Sequence, residues 1–139
     1  MLILYHGDFD GVASAALVLR WALGHNVPIE DAVLLPVNYH LKDLWVDEPD
    51  LHTAALAGRI SPECKPDAHD ANLLNIVVLD FLYHPSADMW FDHHPNPFAN
   101  EAHREHWLFH HQSVRQDRPR RRVYDASYMS CARLVSHML

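Results

Sequence analysis

Aspartates and histidines able to hold a divalent cation occur at three places: His6, Asp8 and Asp10 in "YHGDFDG", Asp80 in "VVLDF", and Asp92, His93 and His94 in "FDHH". Each group follows an apolar run. If those runs are strands lying side by side, the carboxylates at their ends meet, and like charges away from water raise one another's pKa unless something compensates them. A bound cation is the economical compensation. Oxygen-rich ligands with one or two imidazoles suit Mn²⁺, with Mg²⁺ as the alternative, better than the sulfur-rich sets of structural zinc. Two such ions bridged by one carboxylate, ~3.5 to 4 Å apart, clamp a phosphoryl group for transfer to water. Asp80, the middle group, is the natural bridge.

The elements that must position these groups alternate. Leu2–Tyr5 reads as a strand and residues 11–24 as a helix, in which Val12, Ala16, Leu19 and Leu23 recur at helical spacing while Ala13, Ser14 and Ala15 permit close packing. A strand is expected at 32–37 and a short helix from Leu41; residues 46–72 read as a connection, with a further helix available at 50–60. "NIVVLDF" has the continuous β-branched character of a central parallel strand, and "ADMWFDHH" repeats that design. Helices follow at 98–111 and 127–138, the last with Asp125 or Ser127 as N-cap. This alternation predicts one α/β domain: an open, mostly parallel sheet with helices on both faces. Such sheets bind ligands beyond the carboxyl ends of their strands, where all three acidic groups fall.

Composition narrows the partners. The 139 residues are 49% hydrophobic, enough for one ordinary core. With 18 Asp and Glu against 11 Lys and Arg, the chain lacks the charge for a broad grip on nucleic acid. Its basic cluster is Arg115, Arg118, Arg120, Arg121 and Arg122; a solvated loop is the favoured reading, with Arg120, Arg121 and Arg122 as candidates for a substrate phosphate. His103, His106, His110 and His111 read as a solvated helix face rather than a metal site. Cys64 and Cys131 form neither a disulfide framework nor a CxxC pair, Cys131 being a core thiol and Ser14 a packing residue. "MLILY" is too short for a signal peptide and no run reaches the roughly 18 apolar residues of a membrane span, so a cytoplasmic location without membrane partners is expected.

Taken alone, DxDG after a strand also opens the haloacid dehalogenase fold, where the first aspartate is a nucleophile. The later "FDHH" decides against it. "HGDFDGVASA", "VVLDF" and "FDHH" resemble, in order and spacing, the first three motifs of the DHH phosphoesterase superfamily, which includes RecJ-like nucleases and oligoribonuclease-like enzymes; "YDASYMSCARLV" resembles the helix after the third motif. The resemblance implies a manganese-dependent hydrolase in which Asp8 binds one ion, Asp10 and His93 the other, and Asp80 both. His94 is then expected at the substrate phosphate, with Asp92 orienting the pair. His6 is a further ligand candidate, although it stands two residues before Asp8 where some members place a histidine four before.

The family's fourth motif, with another ligand aspartate, and its GGGH-bearing substrate domain are not matched before Leu139. Three functions follow. The first is a phosphodiesterase acting on a short single-stranded oligonucleotide or nucleotide, with a homodimer compatible. The second is a polyphosphate or pyrophosphate hydrolase, and the third a domain that binds metal or nucleotide without turnover.

Overall fold

The computed structural model describes residues 1–60, 76–112 and 121–139. Its strands are β1 (Leu2–His6), β2 (Val33–Val37), β3 (Ile76–Leu79), β4 (Met89–Asp92) and β5 (Arg122–Tyr124), all parallel, in the order β2-β1-β3-β4-β5. The α/β expectation holds. Alternation along the strands divides the core. Leu2, Leu4, Val78 and Trp90 face one side, and Ile3, Val77, Leu79 and Phe91 the other. Helices α1 (Phe9–Gly24) and α5 (Cys131–Met138) cover the second side; α2 (Lys42–Asp47), α3 (Leu51–Leu56) and α4 (Glu101–Gln112) lie on the first. Burial on both faces is why β3 and β4 read as unbroken apolar runs. No helix among the described residues is long and apolar enough to cross a membrane.

Two helices differ from expectation. The inward face of α1 is Gly11, Ser14, Ala15, Val18 and Ala22, whereas Val12 and Leu23 are 51% and 59% exposed. A helix lying this close to its strand selects small side chains, so the largest apolar residues marked the wrong stripe. At α5 the cap is Ser130, whose Oγ accepts from the Arg133 amide at 3.2 Å. Asp125 and Ser127, expected in that role, bond each other instead: the Ser127 amide and hydroxyl both donate to Asp125 Oδ1, an Asx turn that delays the helix.

Parallel strands are usually joined by a helix. Residues 80–88, between β3 and β4, contain none, and side chains supply the donors that a helix would have supplied internally. The Trp90 indole donates to the Phe81 carbonyl at 2.9 Å, and the Trp45 indole to that of Leu82 at 3.0 Å. His103 Nδ1 lies 3.1 Å from the Tyr83 carbonyl. Arg122 donates to the carbonyls of Pro85 and Ala87 at 3.1 and 2.7 Å and to the Tyr83 hydroxyl at 2.9 Å. These bonds satisfy backbone carbonyls that burial would otherwise leave unpaired. Arg122→Met, which keeps the aliphatic stem and deletes the donors, is expected to lose about 2–3 kcal/mol in urea unfolding. An unchanged midpoint would show that the loop is held by its apolar residues alone.

The same loop corrects the reading of the histidine stripe. His103 is buried, and His106 Nδ1 sits 2.7 Å from the Tyr83 hydroxyl, its imidazole pushed down to about 4 first by burial and then by His110 and Arg122. Only part of that helix face meets solvent.

Candidate metal centre

From β1 the chain crosses to β2 on one side, then returns to β3 on the other, which makes the gap between β1 and β3 the point where the sheet's winding reverses. Ligands of open α/β sheets lie at that point. His6 ends β1, Asp8 follows in its loop, and Asp80 directly follows β3.

Asp8 is the N-cap of α1, which therefore starts at Phe9 and not at Gly11. Its Oδ1 accepts from the Gly11 amide at 2.9 Å, leaving Oδ2 at 3.0 Å from His6 Nδ1. Asp80 has a left-handed backbone (φ 57°), a conformation aspartate tolerates better than most residues and one found disproportionately at functional sites. It is 1% exposed, and neither carboxylate oxygen has a hydrogen-bond partner among the described residues. Burial, followed by the charges of Asp10, Asp8 and Asp92 and opposed by His94, lifts its pKa to about 8.

The histidines are fixed from behind. His93 Nδ1 lies 3.1 Å from the Tyr128 carbonyl, to which it donates, so Nε2 is left facing Asp10 Oδ2 and Asp80 Oδ1, each at 3.4 Å. A ring nitrogen tied to a carbonyl while the other faces carboxylates is the usual bearing of a metal-binding histidine. Asp92 is buried and its Oδ1 accepts from the amides of His93 and His94, at 2.8 and 3.3 Å, and lies 2.7 Å from His94 Nδ1. That bond, and then the charges of Asp92, Asp80 and Asp8, outweigh burial and raise the His94 pKa.

Ligand-capable atoms of His6, Asp8 and Asp80 lie within 4.8 Å of one another, as do those of Asp80, His93 and His94. Asp80 belongs to both groups. No family model, curated protein or solved structure matches the chain. What the site can do is therefore set by its own atoms.

The donor set fits hard divalent cations. Among the described residues it offers carboxylate oxygens and imidazole nitrogens and no thiolate, since Cys131 is buried, its Sγ 3.2 Å from the Phe91 carbonyl, with burial pushing the thiol pKa up. The orphaned Asp80 oxygens are what a shared cation would satisfy. Asp10, expected as a ligand, reaches His93 but also accepts from the Cys131 and Ala132 amides, at 2.8 and 2.9 Å, so it ties α1 to the first turn of α5. Arg122 is engaged on the β3–β4 loop and Arg121 on the Met138 carbonyl; Arg120 lies outside the described residues.

One rim residue escaped the sequence. Tyr39 stands after β2, its ring 5.4 Å from that of His6. Burial and the charges of Asp92, Asp80 and Asp8 raise its hydroxyl pKa. The strand-end rule that marked the acids applied equally to "NYH".

Proposed function

We propose that the chain is a DHH-type, Mn²⁺-dependent phosphoesterase that hydrolyses the phosphodiester bond of a short oligonucleotide or nucleotide. The observation that carries this reading is Asp80: one buried carboxylate, without a hydrogen-bond donor among the described residues, common to two ligand groups. His6, Asp8 and Asp80 would hold one ion; Asp80 and His93, with Asp10 adjacent, the other. When bound, such a pair supplies charge stabilisation to phosphoryl oxygens and acidifies water for in-line attack.

The protein's own contribution is positional. Asp8 is locked by its capping bond, His93 presents Nε2 because Nδ1 is committed to Tyr128, and the bond to Asp92 raises the His94 pKa, favouring its cationic form. With Nδ1 bound to Asp92, His94 in its protonated form offers Nε2–H as a donor to a phosphate oxygen. A second reading, binding without turnover, draws support from Asp10, whose oxygens are both engaged by α5.

Incubation of a dinucleotide with the protein is expected to release nucleoside monophosphate with Mn²⁺ and not with EDTA. Stoichiometric Mn²⁺ binding with no product would favour the second reading, and absence of Mn²⁺ binding would sink both.

A further inference from the structure

Immediately after His94 the chain turns through residues 95–98 along a cavity of about 360 Å³, whose walls include Asn96, Phe98, Asn100, Glu101, Arg104 and Tyr124. That volume lies within the range of roughly 300–1,000 Å³ typical of small-ligand sites. The cavity wall reaches the sheet position beside Asp92, the residue bonded to His94. Tyr124 is the register partner of Asp92 on the neighbouring strand, and alternation places both side chains on the face that carries Trp90, with adjacent strands only about 4.8 Å apart.

The lining has the chemistry of a flat heteroaromatic ring. Phe98 and Tyr124, 6.3 Å apart between centroids, supply aromatic surface. Asn100 spends Oδ1 on the His103 amide at 2.8 Å, which leaves its NH₂ as a donor, and Glu101 brings acceptor oxygens. Arg104 pairs with Glu101 at 2.6 Å, so the pair presents no net charge to draw in a second phosphate.

We propose that this cavity holds the nucleobase of a nucleotide whose phosphate lies at the Asp80 centre. The inference rests on the phosphoesterase reading and sharpens it: a base pocket selects nucleotides over polyphosphate, which has no ring to stack.

The test separates the two claims by using nucleosides, which carry no phosphate. Adenosine and guanosine are titrated into the full metal-free chain and amide shifts are followed by ¹H–¹⁵N NMR, with ribose 5-phosphate as control. Both nucleosides should shift the amides of Asn96, Phe98, Asn100 and Tyr124, with dissociation constants on the order of 1 mM, and ribose 5-phosphate should not. Tyr124→Leu, which removes the ring and keeps apolar bulk, should weaken nucleoside binding about tenfold, as expected for one base–aromatic stack. Should that variant not fold, the shift map of the unaltered chain still decides. No nucleoside shifts at these residues, or equal shifts from ribose 5-phosphate, overturns the pocket even if dinucleotide hydrolysis proceeds. Nucleoside shifts here without Mn²⁺-dependent hydrolysis uphold the pocket and sink the phosphoesterase reading instead.

Discussion

Asp80→Asn is expected to stabilise the metal-free protein at pH 8 by roughly 2 kcal/mol while weakening Mn²⁺ binding at least about 100-fold. The two effects have one cause. In the folded chain burial and neighbouring carboxylates raise the Asp80 pKa to about 8 from its ordinary 3.8, so the folded state retains a proton that the unfolded state has lost. Stability must then fall as pH rises from about 4 to 8, by at most about 1.4 kcal/mol per pH unit for one group. His94 acts with the same sign: its raised pKa gives a contribution present below 6.5 and lost as pH passes its folded value. Mn²⁺ bound at the proposed centre would displace the proton, so a saturated protein should lose this slope, and its metal affinity should grow with pH over the same window.

Asparagine suits the test because it keeps the shape and tolerates the left-handed backbone at this position. It removes only the charge. On the proposed reading Asp80 is a direct ligand, and its loss should matter no less than that of outer partners, which costs about 10–100-fold in metal affinity. Thermal melts from pH 5 to 8.5, with and without Mn²⁺, read both effects. An undiminished pH slope in Asp80→Asn, or Mn²⁺ affinity equal to wild type, would remove Asp80 from the centre of the site.

The strands carrying the acids were legible because a strand buried on both faces writes itself as an unbroken apolar run, and "IVVL" and "MWF" have no other simple reading. The gathering of His6, Asp8, Asp80 and His93 followed from the strand-end rule alone. What escaped depends on contacts distant in sequence. Asp10 meets α5 across some 120 residues, and no local pattern reveals that its oxygens are shared with the Cys131 and Ala132 amides. β5 escaped because Arg122–Tyr124 is too short for alternation to show. Its arginine then read as a free cation although its guanidinium grips the β3–β4 loop. The stripe on α1 was misphased because periodicity weighs side-chain size upward, while a helix against a strand end needs the opposite.

That close approach makes Gly11→Ala a severe substitution, expected to cost about 3 kcal/mol or more in urea unfolding. A Cβ at residue 11 would stand 2.0 Å from the His6 carbonyl oxygen, 2.8 Å from its carbon and 2.9 Å from the His6 nitrogen. All three are backbone atoms of the strand, so no side chain can swing aside. Either α1 lifts from β1 or the end of β1 bends. Both responses move Asp8 and Asp10, flanking Phe9 at the start of α1, relative to Asp80 just after β3, so Mn²⁺ affinity should fall together with stability. Gly24→Ala is the internal control: nothing lies within 4 Å of its added Cβ, and alanine's higher helix propensity should leave stability unchanged or up to ~1 kcal/mol higher. If Gly11→Ala unfolds at the wild-type urea midpoint, the helix does not rest on the strand this closely, and the aspartates of its first turn are not held where a shared cation needs them.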